Sequence, residues 1–223
     1  MIKFLVMVLF GLFVITFGTY AGAESRDELR ITGFRSSCII RNLGGHDQAI
    51  ACVYQLNPLI VATTRHFFQA ARASAKHWVL MRPDWHGKAI EVFPVAEYSD
   101  RDAVLFSTNI VVPTSFQLVP LALASQSPRI GEHVYCVVDF AKFPRGRLLK
   151  GRFLGKRQGQ LVADITGIRQ GMSGTPILNR RGEGVGFLIG DLTSNATGRT
   201  YVWFESIEVI RSLIEAYSNN WRP

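Results

Sequence analysis

The stretch Gly171-Met172-Ser173-Gly174-Thr175-Pro176 places a serine next to a glycine turn. Glycine adopts backbone angles that other residues resist, so the chain can turn sharply and a substrate carbonyl can approach the backbone N–H groups. A polar segment precedes the stretch, and two predicted strands, Ile177–Leu178 and Gly184–Gly190, follow it. The pattern is typical of a nucleophilic serine, which needs a base and an orienting carboxylate from elsewhere in the chain.

Short apolar segments, rich in Val, Ile, Phe, Tyr and Leu, extend from this stretch in both directions, with Gly, Asn, Asp or Pro between them. The predicted strands are Ser37–Arg41, Ala49–Gln55, Leu59–Thr63, Trp78–Arg82, Ala89–Tyr98, Ala103–Ser107, His133–Val138, Leu148–Leu154, Gln160–Asp164, Pro176–Leu178, Gly184–Ile189 and Arg199–Val202. Many short strands at regular spacing predict an all-β fold, either a sandwich or a barrel.

Only the carboxyl-terminal tail has a convincing helical pattern. From Ser206 onwards, five apolar residues fall on one face at helical spacing: Ile207, Ile210, Leu213, Ile214 and Tyr217. Ser206 is suited to the N-cap and Glu208 to the first turn. A short helix is also predicted after His66, through Phe67–Ala70. We expect the tail helix to pack against the strands and to have no catalytic part.

The first 23 residues have the pattern of a secretory signal peptide. Lys3 precedes the apolar run Phe4–Phe17, and Ala21-Gly22-Ala23 provides a small-residue cleavage site. The run is shorter than the roughly 20 apolar residues that span a bilayer. We therefore predict cleavage after Ala23, a secreted or periplasmic protein, and no stable membrane insertion after cleavage.

The net charge of the whole chain is +8, from 25 basic and 17 acidic residues. Removing Lys3 with the signal segment leaves 24 basic against 17 acidic residues, or +7. Such a balance draws a protein towards acidic surfaces or polymers. The basic residues are scattered and do not alternate with aromatic residues, so we predict no nucleic-acid partner.

Three cysteines are too few for a disulfide scaffold. Cys38 and Cys52 lie symmetrically about Gly44-Gly45, which is expected to be a hairpin loop, so cross-strand pairing would place them opposite each other. Export to an oxidising compartment would allow a bond between them, and the sequence leaves this pairing open. Cys136 lies in an apolar strand and is predicted to be a small buried side chain.

Two further segments can complete a serine site. The apolar strand Leu59–Thr63 leads into Thr64-Arg65-His66, and Asp102 directly precedes the apolar run Ala103–Phe106. A serine needs a base to take its proton, and the base needs a partner that sets its tautomer and stabilises its charged form. Asp100 is the alternative carboxylate. Three such residues at separate strand ends can converge only through the fold.

These segments resemble the trypsin-like, chymotrypsin-fold serine proteases, and more closely the bacterial secreted branch that includes the HtrA-type proteases. Val61–His66 is similar to the family's V-[LV]-T-x-x-H segment, Asp102–Phe106 to D-x-A-x-L, and Gly171–Pro176 to G-[DN]-S-G-[GS]-P. Ile130–Val134 resembles the G-x-x-V strand that opens the second barrel of the bacterial members. Tyr201–Tyr217 resembles the closing strand and helix.

The resemblance implies two six-stranded antiparallel β-barrels with a C-terminal α-helix. The first barrel would occupy residues 24–122 and carry His66 and Asp102, the second would occupy 123–205 and carry Ser173, and the helix would occupy 206–219. Ser173 would be the nucleophile, His66 the base and Asp102 its orienting acid, with an oxyanion hole from the backbone N–H groups of Gly171 and Ser173. The substrates would be proteins or peptides. We predict no cofactor and no metal, and the oligomeric state stays open.

Three departures from the family pattern concern the site itself. Met172 stands where zymogen-activated members have an aspartate that receives the new N-terminal amine, which argues against that activation route. Arg65 and Phe67 flank His66 in place of the common Ala and Cys, so the family's disulfide beside the histidine is absent. Thr175 replaces a small Gly or Ser and is expected to tighten the turn.

The specificity residues are predicted from the same resemblance. Gly167, six residues before Ser173, would lie at the base of the pocket, beside Ile168, and the wall strand would contribute Leu188, Gly190 and Asp191. No acid occupies the position that gives trypsin its preference for Lys or Arg. We expect a small or medium apolar residue in the substrate directly before the cleaved bond. Asp191 keeps a basic residue at that position as an alternative.

Two other functions compete with a secreted serine endopeptidase. The first is a catalytically impaired binding module on the same fold, in which Arg65, Phe67 and Thr175 distort the site. The second is an esterase of the α/β-hydrolase type. It is disfavoured because Thr175 interrupts Gly-x-Ser-x-Gly and because no histidine follows His133.

Overall fold

The computed structural model describes residues 24–44, 47–72, 77–140, 145–193 and 200–220. The predicted signal segment, residues 1–23, lies outside these ranges. Six strands form the first closed barrel: β1 (Ser37–Leu43), β2 (Gln48–Leu56), β3 (Leu59–Thr63), β4 (His77–Met81), β5 (Ala89–Glu97) and β6 (Val104–Ser107). Six more form the second: β7 (His133–Val138), β8 (Arg147–Arg157), β9 (Gln160–Ala163), β10 (Pro176–Leu178), β11 (Gly184–Thr193) and β12 (Thr200–Ser206).

Every strand pairing within the two barrels is antiparallel. The order around the first barrel is β1-β2-β3-β6-β5-β4, and that around the second is β10-β11-β12-β9-β8-β7. Along β8, exposed Lys150, Arg152 and Lys156 alternate with buried residues, as expected when one face of a strand lines a core. The predicted all-β architecture of two six-stranded barrels is confirmed.

Within the described residues, three α-helices accompany the barrels: α1 (Arg26–Arg35), α2 (Arg65–Arg72) and α3 (Ile207–Asn220). The helix α3 confirms the predicted C-terminal helix, and Ile207, Ile210 and Leu213 are buried on its inner side. Within the described residues, no helix is long and apolar enough to cross a membrane.

The helix α1 was not predicted from the sequence. Its apolar residues are too few for a clear amphipathic pattern, but its start is marked by a capping box. The Ser25 hydroxyl accepts the Glu28 N–H at 3.2 Å, and the Glu28 carboxylate accepts the Ser25 N–H at 2.6 Å. Gly33 brings α1 close to the second barrel, because a Cβ at this position would lie 2.5 Å from Val137 Cγ2.

The cores explain how the two barrels are held together. Each barrel has its own apolar core, and a third buried cluster lies between the barrels and α3, with Ile60, Leu105, Leu178, Phe187 and Ile210 among its members. Burying apolar surface between the barrels fixes their relative position. Residues at the ends of strands from both barrels can therefore form one site.

The expectation that Cys38 and Cys52 face each other is wrong. Cys38 pairs with Ala51 and Cys52 with Ser37, so the two cysteines are offset by one residue in the ladder. Since side chains alternate between the two faces of a strand, this offset sends the thiols in different directions. Cys38 lies in the core of the first barrel and Cys52 in the cluster between the barrels. Both are free, as is the buried Cys136.

Candidate active site

His66 lies in the first turn of α2, directly after β3. Its Nδ1 is 2.6 Å from Asp102 Oδ2, and its backbone N–H donates to Asp102 Oδ1 at 2.7 Å. Because an ionised carboxylate only accepts hydrogen bonds, Nδ1 carries the proton and Nε2 is left with a lone pair. The carboxylate thus orients the ring and sets its tautomer.

Asp102 is the carboxylate that reaches His66. Its side chain is 17% exposed, against 53% for the imidazole, so the acid is mostly shielded while the base opens to solvent. Within the described residues, Asp100 has no hydrogen bond or ion pair to His66. On the neighbouring surface, the Arg65 guanidinium binds Glu97 at 2.5 Å and the carbonyl oxygen of Ser99 at 2.9 Å, which holds the loop before Asp102.

Glu205, on β12 of the second barrel, lies behind Asp102. It is 1% exposed, and its carboxylate accepts the backbone N–H of Asp102 at 3.3 Å and that of Ser206 at 3.3 Å. Burial raises the pKa of Glu205, against the lowering effect of these hydrogen bonds and of the Arg101 charge. The sequence reasoning missed Glu205, although a carboxylate at the end of the apolar strand Tyr201–Phe204 was a signal of a special role.

The turn that carries Ser173 is anchored to both barrels. The Ser173 carbonyl oxygen accepts the N–H of Ile50 on β2 at 2.9 Å, and the Gly174 N–H donates to Leu188 O on β11 at 2.7 Å. Within the turn, the Thr175 hydroxyl donates to Met172 O at 2.7 Å. Thr175 is fully buried, so it closes the turn from beneath instead of distorting it.

Gly174 is required by the space around it. Its φ is +86°, and a Cβ there would lie 1.8 Å from Ile50 O and 2.7 Å from Thr63 Oγ1. Thr63 itself donates to Ile50 O at 2.7 Å, so this oxygen is held in place. The absence of a side chain at Gly174 therefore allows the serine turn to rest directly on the first barrel.

Ser173 and His66 line the same cleft of about 430 Å³, together with Phe67, Ala49 and Gly171. The Ser173 hydroxyl donates to the carbonyl oxygen of Ile189 at 3.1 Å. No hydrogen bond joins Ser173 Oγ to His66 within the described part of the chain. Of the three predicted catalytic residues, Ser173 and His66 therefore line one cleft and Asp102 contacts His66, while the serine is turned towards β11.

The backbone at Gly171 and Ser173 is suited to binding a developing negative charge. Gly171 has φ of +86° and lines the cleft with Ser173, and no atom lies within 4 Å of a Cβ built there. In the described residues, neither the Gly171 N–H nor the Ser173 N–H donates to a protein acceptor. Two free backbone donors beside a serine are what an oxyanion hole requires.

A second cavity, of about 330 Å³, adjoins the first and shares Ala49 and Gly171 with it. Asp139 lies in its wall, with a side chain that is 5% exposed and a φ of +62°. Its carboxylate pairs with Arg147 at 3.1 Å and contacts the Arg169 guanidinium directly. The carbonyl oxygen of Arg169 accepts the Met172 N–H at 3.3 Å, so this ion pair holds the turn that leads to Ser173.

The predicted specificity residues have mixed surroundings. Ile168 and Leu188 are 9% and 1% exposed and belong to the core of the second barrel. Gly167 and Asp191 are exposed, and Gly190 has open space where a Cβ would lie. All five positions stay predictions. Within the described residues, no group of three or more His, Cys, Asp or Glu could hold a metal ion.

No protein-family model matches this sequence, and no curated protein matches it. Among solved structures, the chain is similar to the inactive form of a serine-to-alanine mutant of Rv3671c from M. tuberculosis H37Rv. The match has a TM-score of 0.62 and covers 89% of this chain and 94% of that chain.

The chain has a chymotrypsin-like fold. The two closed six-stranded barrels and this structural match agree on it. Only 14% of the residues are identical, so the likeness concerns the fold alone. A chymotrypsin-like fold leaves activity to be argued from the site of this chain, because one fold supports many functions.

Proposed function

We propose that this protein is a secreted serine endopeptidase that cleaves peptide bonds through an acyl-enzyme. The observation that carries the proposal is the cleft shared by Ser173 and by a His66 ring whose Nδ1 is held by Asp102 at 2.6 Å. The free N–H groups of Gly171 and Ser173 beside the same serine support it.

In this mechanism Ser173 Oγ attacks the carbonyl carbon of the scissile peptide. The Nε2 atom of His66 accepts the hydroxyl proton and later delivers it to the leaving amine, while Asp102 stabilises the imidazolium. The negative charge that develops on the carbonyl oxygen is bound by the Gly171 and Ser173 N–H groups. Water then attacks the acyl-enzyme with His66 again acting as the base.

The attack requires Ser173 Oγ to leave the carbonyl oxygen of Ile189 and turn towards His66. This is a rotation about one side-chain bond, because the backbone of the turn is fixed by Ile50 and Leu188. Catalytic hydrogen bonds are often formed only when substrate is present. A substrate that binds along β11 would compete with the Ser173 hydroxyl for the carbonyl oxygen of Ile189 and so release the hydroxyl.

The decisive experiment is labelling with a fluorophosphonate probe, which reacts only with an activated serine. The chain from Glu24 onwards should be labelled, and Ser173→Ala should abolish labelling and lower peptidase turnover on the order of 10⁶-fold. Ser125→Ala, a change at an exposed serine, is the matched control and should leave labelling unchanged. Unchanged proteolysis in Ser173→Ala would contradict the proposal.

A second candidate, a binding module that has lost catalysis, is favoured by one observation, the hydrogen bond from Ser173 to Ile189 in place of His66. A folded protein that binds peptides but is never labelled would establish this alternative. Secretion is also a proposal, since it depends on residues 1–23. Amino-terminal sequencing of the exported protein should begin at Glu24.

A further inference from the structure

The cleft shared by Ser173 and His66 has walls from three parts of the fold. One wall is α2, the second is the start of β2, and the third is the turn that leads to Ser173. Among the described residues, none from β11 lines this cleft, although the Ser173 hydroxyl donates to Ile189 O on that strand. The cleft is therefore distinct from the strand along which a substrate would displace this hydroxyl.

The position of His66 shows which part of a peptide this cleft would receive. In the proposed mechanism His66 delivers its proton to the leaving amine, so the part of the peptide that follows the cleaved bond must pass this side chain. Phe67 and Ala70, which follow His66 on α2, line the same cleft. The cleft is thus suited to the leaving part of the substrate. This assignment rests on the proposed function, since only a peptide that is cleaved at Ser173 has a leaving part.

Asp47, directly before β2, gives this cleft a negative charge. Apart from the titratable His66, it is the one ionisable side chain in the described lining of the cleft. Its side chain is exposed and has no ion pair or hydrogen bond within the described residues. The neighbouring polar side chains of the lining, Gln48 and Gln170, are neutral and exposed. In a chain with a net charge of +8, an unpaired carboxylate therefore lines the leaving side of the candidate site.

Asp47 lies within reach of the first residues after the cleaved bond. The Ile50 N–H donates to the Ser173 carbonyl oxygen at 2.9 Å, so β2 passes directly beside the serine. Asp47 precedes Ile50 by three residues, and an extended chain rises about 3.3 Å per residue, which separates them by about 10 Å. An extended substrate advances at the same rate. A long basic side chain on its first or second residue after the bond can therefore bring a cation to Asp47.

The cations around the cleft already have carboxylate partners. In the adjoining cavity, Arg169 and Asp139 form an ion pair, so the described lining of that cavity has no net charge. Arg65, next to His66 in the chain, binds Glu97 at 2.5 Å. Neither guanidinium has an ion pair with Asp47 within the described residues. The charge of Asp47 is therefore the one that the leaving part of a substrate meets in this cleft.

We propose that Asp47 selects substrates that have a lysine or arginine at the first or second position after the cleaved bond. Its carboxylate pairs with the ammonium or guanidinium group of that residue. Phe67 and Ala70 offer apolar surface to the methylene groups of the same side chain, because lysine and arginine bury their stems while the charge stays in water. An acidic side chain at these positions is repelled by Asp47.

Matched peptides test the proposal with the chain from Glu24 onwards. Digestion of a random peptide library identifies a well-cleaved sequence, which is then made as a quenched fluorescent peptide with lysine, norleucine or glutamate at each of the two positions after the bond. Norleucine keeps the apolar stem of lysine without its charge. Because an exposed ion pair changes an equilibrium by up to about fivefold, kcat/KM should be up to about fivefold higher for lysine than for norleucine, and lower for glutamate. Raising the salt concentration should weaken this preference.

Asp47→Asn should remove the preference for lysine over norleucine, and Asp47→Lys should reverse it in favour of glutamate. Asp27→Asn, at an exposed carboxylate on α1, is the matched control and should keep the preference. Thermal unfolding verifies that each variant is folded. Cleavage without a lysine preference, or a preference that survives Asp47→Asn, would overturn the proposal and leave the endopeptidase intact. A chain that is not labelled at Ser173 and cleaves no peptide of the library would overturn both.

Discussion

The buried carboxylate of Glu205 accepts the backbone N–H of Asp102 at 3.3 Å. Glu205 belongs to the second barrel and Asp102 to the loop of the first, so this hydrogen bond joins the proposed catalytic acid to the barrel that carries Ser173. A hydrogen bond to a charged group contributes about 1.5–3 kcal/mol. We expect Glu205→Ala to lower kcat about tenfold to a hundredfold with little change in KM. Steady-state kinetics on a peptide substrate would measure it.

A merely structural role for Glu205 would not affect the His66–Asp102 contact, and proton NMR distinguishes the two roles. The low-field Nδ1–H signal of His66, identified by its loss in Asp102→Asn, should shift or broaden in Glu205→Ala. Glu205→Gln keeps one acceptor oxygen and should restore most of the signal. Glu208→Gln, at a nearby carboxylate, is the matched control. An unaltered signal in folded Glu205→Ala would contradict positioning by this residue.

The pH dependence of stability should carry a component from Glu205. Burial raises the pKa of this carboxyl above its ordinary value of 4.5, so the folded protein holds the proton more tightly than the unfolded chain. As the pH rises through this interval, the unfolded chain loses the proton first, and the free energy of unfolding falls. Glu205→Gln cannot ionise and lacks this fall. Urea unfolding, followed by tryptophan fluorescence, measures the free energy of unfolding of both proteins. The difference in this free energy, Glu205→Gln minus the unmodified protein, should increase from acidic to neutral pH.

The ion pair of Asp139 with Arg169 is expected to hold the oxyanion turn. Met172 stands at the position before the serine, so no carboxylate is available there, and Arg169 adds a further anchor because its carbonyl oxygen accepts the Met172 N–H. Asparagine tolerates the positive φ of residue 139 as well as aspartate does, so Asp139→Asn removes the charge alone. We expect kcat to fall about tenfold, as for the loss of a partly buried ionic hydrogen bond.

Asp27→Asn is the matched control for Asp139→Asn. Its carboxylate is 81% exposed and pairs with Arg30 within the same helix, so its loss should leave kcat unchanged. Equal kinetics for Asp139→Asn and the unmodified protein would show that the turn is held without this ion pair.

Gly174→Ala should abolish activity and strongly destabilise the fold. The new methyl group would lie 1.8 Å from Ile50 O, a backbone atom that cannot move without opening the contact between the barrels. Gly87→Ala is the control, because Gly87 has a similar φ of +82° but no atom within 4 Å of the added Cβ. Gly87→Ala should lower the free energy of unfolding by only about 1–2 kcal/mol, the cost of a side chain at a positive φ. Thermal unfolding of both variants separates the collision with Ile50 O from the backbone strain. Similar losses of stability in the two variants would contradict the collision.

Features that depend on local pattern were predictable from the sequence. Alternation of exposed and buried residues, as along β8, reports a strand because side-chain direction alternates in any extended chain. The terminal helix was predicted from the spacing of Ile207, Ile210 and Leu213 for the same kind of reason. The helix α1 was missed because its apolar residues have no strong period, although Ser25 and Glu28 form a capping box that marks its start.

Features that depend on strand register, or on contacts between residues far apart along the chain, were not predictable. A shift of one residue in the β1–β2 ladder separates the thiols of Cys38 and Cys52. The sequence around Gly44-Gly45 does not distinguish this register from the one that would pair the two cysteines. Leu188 and Ile168 were assigned to a substrate pocket, and only the packing of the second barrel shows that both side chains are buried in its core. Glu205 lies 103 positions from Asp102 along the chain, and only the packing of the two barrels brings them together.

The stretch Gly171–Pro176 by itself determined that a serine stands on a glycine turn between strands, because glycine and proline restrict the backbone wherever they occur. The order of His66, Asp102 and Ser173 along the chain was likewise given by the sequence. Only the tertiary structure decided that Asp102 holds His66 at 2.6 Å and that the Ser173 hydroxyl rests on Ile189 O. These contacts join residues from separate elements, and their distances are set by how two closed barrels bury the apolar surface between them.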